Sequence, residues 1–220
     1  MTERTAQILE AAIQGFIATG EPVSSGWLFD HYDFGIKPAM IRLELDALEE
    51  DGLLVQPHHS AGRVPTDAGY EFFAKQLLDT VAESHERVLH GLFAEHAWAE
   101  LLGRISGELG LLGVAVNLTE DAIYKTGLES LVSRLDWDDR AGIRSVIRDF
   151  EAMDARVPRA AEKIGQGTKV FIGKKSPVTR SENLSVVGGN YETDGVTVSI
   201  LAIGPKRMDY KKVIRIFKSL

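Results

Sequence analysis

The sequence contains no cysteine. Without thiols the chain cannot form a disulfide framework or a thiolate metal site. It also has no run of about eighteen apolar residues, the length that a transmembrane helix requires. Its first residues lack the basic-then-apolar order of a signal peptide. We therefore expect a protein of the cytoplasm that has no membrane partner.

The sequence also lacks the motifs of the common enzyme classes. No Gly-x-Ser-x-Gly nucleophile elbow occurs, and no glycine-rich stretch ends in the Gly-Lys-Ser/Thr of a phosphate loop. His85-Glu86 and His90 resemble a zinc-protease helix, but that motif needs histidines four residues apart. The longer spacing here turns the two side chains about 140° apart around a helix. We predict a protein that is not an enzyme, with no catalytic residues, metal or cofactor.

Basic residues are scarce in the first third of the chain. Residues 1–79 carry 5 Lys and Arg against 13 Asp and Glu, whereas residues 160–220 carry 11 against 5. We interpret the C-terminal excess as a solvated helix face, with a second phosphate or protein contact as the alternative; it comprises Lys206, Arg207, Lys211, Lys212, Arg215 and Lys218. Because the N-terminal part is acidic overall, any DNA contact there must come from a local surface from which the acids are turned away.

The apolar pattern of the N-terminal part predicts three helices and a hairpin. Thr2 and Ser24 are suited to cap the first two helices, and Pro38 is suited to the first position of the third. Short apolar stretches on both sides of residues 56–63 predict the hairpin. Three helices followed by a hairpin are the order of a winged helix-turn-helix domain, which we assign to residues 1–80.

The fold class that the whole pattern predicts is α+β. After the hairpin, a helical pattern continues from Glu71 to about Leu109. We assign residues 81–110 to a helical linker that could pair two copies of the chain. The alternative is a helix packed on its own domain.

Residues 111–220 are predicted to form a second domain with an antiparallel sheet. Two helices are expected at residues 121–135 and 139–155, after which the pattern changes to apolar strands. Asp194-Gly195 is the signature of a tight hairpin between two of these strands. Asp209 is suited to cap a basic terminal helix.

The third helix and the wing supply the candidate DNA contacts. In this fold the N-terminal half of the third helix enters the major groove, and here it offers Lys37, Met40, Arg42 and Leu43. Arg42 is the best candidate for a guanine or a phosphate, the alternative being an ion pair with Asp46. Met40 or Leu43 could touch a thymine methyl group. The wing lies in a stretch without acids, and we predict contacts there from Gln56, His58, His59, Ser60 and Arg63.

Several segments of the sequence are distinctive. In the N-terminal part they are TGEPVSS (Thr19 to Ser25), AMIRLELDALEEDGLL (Ala39 to Leu54) and QPHHSAGRVPTDAGY (Gln56 to Tyr70). In the C-terminal part they are IYKTGLESLV (Ile123 to Val132), VFIGKK (Val170 to Lys175), LSVVGGNYETDG (Leu184 to Gly195) and IGPKRMDYKKVI (Ile203 to Ile214). Together they resemble the heat-inducible repressors of the HrcA family over most of the chain, with gaps.

This resemblance implies a transcriptional repressor of heat-shock and chaperone genes, which binds an inverted-repeat operator in double-stranded DNA as a homodimer. It also implies a GAF-like second domain and chaperonin as a modulating partner. Two features depart from the family. The stretch between the strand at Leu111 and Ile123 is too short for the family's intervening strands and insertion, which predicts a reduced GAF-like domain. Met40 and Leu43 stand where members usually carry Thr and Asn, and Leu cannot make the bidentate contact to adenine that Asn makes.

Two other functions fit parts of the sequence. The acidic N-terminal part would suit a protein-interaction module, built on a relic winged helix that does not bind DNA specifically. A small-molecule sensor would need an intact pocket of several hundred cubic ångströms in the second domain. Because the wing is free of acids, we predict the DNA-binding repressor.

Overall fold

The computed structural model of the protein describes residues 1–82, 87–135 and 140–220. The chain divides into two compact units, Met1–Gln76 and Leu77–Leu220. The elements that begin in the first unit are α1 (Glu3–Thr19), α2 (Ser25–His31), α3 (Pro38–Glu50), β1 (Leu54–Val55), β2 (Val64–Pro65) and α4 (Asp67–Thr80). This is the order of three helices and a hairpin that the apolar pattern predicts.

The first helices begin and end at residues that satisfy their backbone groups. The Thr2 hydroxyl accepts a hydrogen bond from the amide of Thr5, and the Ser24 hydroxyl accepts one from the amide of Trp27. Gly20 ends α1 in the left-handed conformation, with a φ of 74°, which glycine adopts at little cost. The three helices pack against one another, and their fully buried side chains include Ile8, Ile13, Leu28, Ile41, Leu45 and Leu48.

The hairpin formed by β1 and β2 is attached to the connector between α1 and α2. Val23 pairs antiparallel with Arg63 through two backbone hydrogen bonds of 2.9 and 2.8 Å. There is no room for a side chain at Gly62, because a Cβ there would lie 2.4 Å from the carbonyl carbon and oxygen of Val23. Glycine therefore permits the close approach of two backbones that fixes the hairpin beside the helices.

The second unit is built on an antiparallel sheet. Its elements are α5 (Arg87–Ala94), α6 (Trp98–Leu109), β3 (Leu112–Asn117), β4 (Ala122–Thr126), α7 (Leu128–Val132), α8 (Arg140–Ile164), β5 (Lys169–Ile172), β6 (Leu184–Thr193), β7 (Val196–Pro205) and α9 (Tyr210–Phe217). The five strands are ordered β4-β3-β7-β6-β5. Asp194 and Gly195, both with positive φ, join β6 to β7 in the tight hairpin that the sequence predicts.

Helices cover both faces of this sheet. Alternate residues of β3 point to opposite sides, so Leu112 and Val114 belong to the core beneath α8 while Gly113 faces Leu102 and Ser106 of α6. The core beneath α8 is filled by buried side chains from the sheet, α7 and α8. The architecture is α+β, and it is consistent with the predicted GAF-like domain.

A buried carboxylate on α8 holds the loop that precedes β6. Asp149 is 1% exposed. One of its oxygens lies 2.5 Å from Nη1 of Arg156, and the other accepts hydrogen bonds from the backbone amides of Arg180 and Ser181 at 2.8 and 2.9 Å. These donors compensate the desolvation of the charge, which would otherwise destabilise the unit.

The helical pattern from Glu71 to about Leu109 corresponds to three helices, α4, α5 and α6, so the expectation of one long connecting helix is wrong. His96, between α5 and α6, has a φ of 57° and reverses the chain. The reversal brings the rings of Phe93 and Trp98 into an edge-to-face contact, with centroids 5.7 Å apart, and both side chains are buried. α5 and α6 thus pack within the second unit. His85 and Glu86 of the rejected zinc motif lie outside the described residues.

The two helices predicted at residues 121–135 and 139–155 also need correction. The first stretch holds β4 and the short helix α7, and Ile123 pairs with Val116 on the neighbouring strand. Every residue of β4 is half-buried, so the strand has no alternation of buried and exposed positions. The second helix, α8, continues to Ile164 through Pro158, although proline usually ends a helix.

Candidate nucleic-acid interface

The N-terminal half of α3 is exposed on the side opposite its buried stripe. Pro38 lies in the first turn of α3. Backbone amides there have no acceptor within the helix, so the missing amide hydrogen of proline costs no hydrogen bond. Leu43 is 60% exposed and Met40 is 48% exposed. Lys37 and Arg42 are exposed as well. The four residues that the sequence predicts at base edges and phosphates therefore lie together at one end of the helix.

Three of the four carboxylates that follow Arg42 on α3 are bonded within the unit. Nη2 of Arg63 bonds to Asp46 and lies 3.1 Å from Oε2 of Glu49, and Nε of the same side chain donates to that oxygen at 3.2 Å. The hydroxyl of Thr5 donates to Oε2 of Glu44 at 2.8 Å. The single positive charge of Arg63 offsets part of the negative charge that the sequence places beside the candidate contacts.

The alternative role considered for Arg42 is an ion pair with Asp46. Asp46 is instead paired with Arg63 from the hairpin. Within the described residues Arg42 forms no ion pair, and its side chain faces solvent. The guanidinium of Arg42 is therefore accessible to a molecule that binds at the exposed side of α3.

Arg63 does not fit its predicted role as a DNA contact. It is only 9% exposed, and its guanidinium is occupied by Asp46 and Glu49. It joins the hairpin to α3 and forms ion pairs with two of that helix's acids, whose combined charge it halves. The acid-free stretch indicated a surface for DNA, but the partners of Arg63 lie 14 and 17 residues away, so sequence spacing did not reveal them.

The turn of the hairpin exposes polar side chains, and hydrogen bonds within the turn hold its backbone. Nε2 of Gln56 donates to the carbonyl oxygens of His59 and Ala61 at 3.2 and 2.8 Å, and the amide of Ala61 donates to the carbonyl of His58 at 2.8 Å. His58, His59 and Ser60 are exposed at the tip. Gln56 is half-buried, so its contribution is to shape the turn that displays the other three.

Other surface features are distinct from this face. A cavity of about 370 Å³ lies in the first unit, lined by polar and aromatic residues of α1 and the segment after α2. In the second unit, Lys212 of the basic C-terminal cluster forms an ion pair of 3.1 Å with Glu108. In the ranges described, no three His, Asp or Glu side chains are grouped to hold a metal ion. Nor is any described helix long and apolar enough to span a bilayer.

These observations define a chain in which a unit with a candidate nucleic-acid face precedes an α+β domain with an antiparallel sheet. The family described as HrcA protein C terminal domain matches residues 71–214. Because this match covers more than half of the chain, the chain belongs to the HrcA family.

The chain is similar to relatives with the name Heat-inducible transcription repressor HrcA. The protein of Desulfitobacterium hafniense is 49% identical over 169 residues, which cover 74% of this chain and 49% of the relative. That of Nodularia spumigena is 37% identical over 131 residues, which cover 51% of this chain and 36% of the relative. The chain thus spans about half the length of these relatives or less.

A solved structure supports the fold. The crystal structure of a hypothetical protein has a TM-score of 0.72 and 16% identity to this chain, with 99% of this chain and 94% of that chain covered. At this identity the likeness shows the fold alone.

Proposed function

We propose that the chain is a DNA-binding transcriptional repressor of heat-shock genes, in which the Met1–Gln76 unit acts as a winged helix-turn-helix domain. The names of its HrcA relatives support the repressor function. The order of three helices and a hairpin supports the DNA-binding unit. α3 is then the recognition helix, and the hairpin is the wing.

The observation that carries this proposal is the pairing of α3 carboxylates with Arg63 inside the unit. An acidic unit approaching DNA is repelled unless its carboxylates are paired or turned away. Here Arg63 engages Asp46 and Glu49, which leaves Arg42 exposed and unpaired within the described residues. The positive end of the helix dipole lies at the same end of α3 and adds to its attraction for phosphate.

The proposed contacts follow from exposure. Met40, Arg42 and Leu43 enter the major groove, and Lys37 approaches the phosphate backbone at the helix start. At the wing, the residues proposed to contact phosphates or the minor groove are His58, His59 and Ser60, with Gln56 shaping the turn. Arg63 is proposed to position the wing without touching DNA.

A single copy of this face has few cations, so its non-specific affinity is expected to be low. Two copies related by a two-fold axis would double the contacts and would match an inverted-repeat operator. We therefore propose that the protein binds as a homodimer. Chaperonin is proposed as a modulating partner on the resemblance to the family.

Replacing Arg42 with alanine tests this proposal at an exposed cation of α3. We expect affinity for the operator to fall about fivefold to 100-fold, because a bidentate contact to guanine or a charged contact to phosphate is lost. If the lost contact is to phosphate, the dependence of affinity on salt also becomes shallower by about one unit. The measurement is a gel-shift titration at several salt concentrations.

The matched control is Arg4→Ala, which removes an exposed arginine from α1 of the same unit. Affinity should stay near that of the parent protein in this control. Equal affinity of Arg42→Ala and the parent protein would remove Arg42 from the interface and leave the proposal without its main cation.

The protein-interaction module remains the second candidate, and one observation favours it. Two large apolar side chains, Met40 and Leu43, are exposed on a unit that is acidic overall. An exposed apolar surface of this kind also occurs where proteins associate. Failure to bind any duplex, at any salt concentration, would favour this candidate over the repressor.

A further inference from the structure

The outward face of α3 is apolar over its first two and a half turns. Leu43 and Met40 are the large side chains of this face, and the exposed residues Ala39 and Ala47 complete it. They lie opposite the buried stripe of Ile41, Leu45 and Leu48. The alanines carry only a methyl group each, so they allow the helix to approach a surface closely while Leu43 and Met40 project from it.

Charges border this apolar face without interrupting it. Lys37 precedes it and Arg42 flanks it. Three acids of α3 are bonded within the unit: Asp46 and Glu49 pair with Arg63, and Glu44 accepts from the hydroxyl of Thr5. The exposed acids Glu50 and Asp51 follow at the C-terminal end of α3, and we expect that end to stay farther from phosphate because of their charge.

A duplex offers only one apolar group to a helix in the major groove. Guanine, cytosine and adenine present hydrogen-bonding atoms there, whereas thymine also presents its C5 methyl group. Leu43 and Met40 have no hydrogen-bond donor, and Leu43 has no acceptor. Opposite a guanine or cytosine edge, they would displace water from polar atoms without replacing its bonds.

We infer that Leu43 and Met40 select half-sites by packing against thymine methyl groups, so that the operator carries A·T pairs opposite the outward face of α3. This inference rests on the proposed function, because it concerns the same helix in the same groove. It makes the two residues specificity determinants that act through apolar contact, and Arg42 supplies a polar or charged contact beside them.

Deoxyuridine substitution tests this inference directly, because deoxyuridine differs from thymidine only by the missing methyl group. The full chain is titrated against an operator duplex obtained by selection from random sequences, with each half-site thymine replaced in turn. We expect affinity to fall about fourfold at one or two positions, the value for a single buried methyl group. Other thymines should show no change.

The same scan with Leu43→Ala and Met40→Ala assigns the methyl groups to residues. Each variant should bind the unmodified operator more weakly and lose its sensitivity to uracil at one position. The matched control is Val88→Ala, which shortens an aliphatic side chain 57% exposed on α5; it should keep the full methyl dependence.

The outcomes separate this inference from the proposed function. Specific binding by the unaltered protein with no effect of uracil at any thymine would overturn the inference and leave the repressor function standing. Methyl effects that persist unchanged in both variants would overturn it as well. Failure of the chain to bind any duplex would overturn both. Because the first scan uses the unaltered protein, its result does not depend on the folding of a variant.

Discussion

Replacing Arg63 with alanine is expected to weaken DNA binding about tenfold or more and to lower the free energy of unfolding by about 1–3 kcal/mol. The side chain joins the hairpin to α3 through Asp46 and Glu49. Its removal would leave two unpaired carboxylates beside the proposed DNA face. The measurements are a DNA titration and urea unfolding of the same preparation.

A variant without the three charges of this cluster distinguishes two effects of losing Arg63: the unpaired charge left on Asp46 and Glu49, and the loss of a direct contact between Arg63 and DNA. Replacement of Arg63 by methionine together with Asp46→Asn and Glu49→Gln removes the whole charged cluster, a change that proteins often tolerate. We expect this variant to recover most of the stability and affinity. If Arg63→Ala instead unfolds with the same free energy as the parent protein but no longer binds DNA, Arg63 contacts DNA directly. The proposal that Arg63 only positions the wing would then be wrong.

Replacing Asp149 with alanine is expected to destabilise the second unit by about 3–5 kcal/mol, the usual effect of breaking a buried ion pair. The change leaves the Arg156 guanidinium and the backbone amides of Arg180 and Ser181 without their acceptor. We expect the loop before β6 to open, because these bonds connect it to α8. Thermal unfolding and amide hydrogen exchange in the loop measure the effect.

Glu151→Ala is the matched control, because this acid lies two residues further along α8 and is exposed. Its loss should change stability by less than about 0.5 kcal/mol. Comparable stability of Asp149→Ala and Glu151→Ala would show that the loop does not depend on the buried carboxylate.

The sequence predicts best those elements whose signals are local. Thr2, Ser24 and Asp209 cap helices as expected, and Asp194-Gly195 forms the hairpin turn. Each of these residues acts on backbone atoms within a few positions, so its effect can be read from neighbouring residues.

The errors arise where distant residues decide the structure. β4 takes its conformation from pairing with β3, and the reversal at His96 accompanies the burial of Phe93 and Trp98. Neither effect is visible in a helical pattern of apolar residues. α8 passes through Pro158 because the residues around it, Val157 and Ala160, are buried in the core of the second unit, and this packing offsets the lost backbone bond.

The same distinction applies to the candidate DNA face. The exposure of Met40, Arg42 and Leu43 follows from the periodicity of α3, so the sequence places these residues together. The environment of Arg63 depends on contact between the hairpin and α3, which no local pattern encodes. Two of the acids that argued against DNA binding, Asp46 and Glu49, are the partners that occupy Arg63.

Recognition of a specific duplex by the exposed face of α3 is tested most directly by selection from random oligonucleotides. The purified full chain is used at two salt concentrations, and the enriched sequences are compared. We predict an inverted repeat that remains enriched at the higher concentration, because base contacts persist when phosphate contacts are screened. The absence of any enriched sequence at either concentration would contradict DNA recognition by this protein.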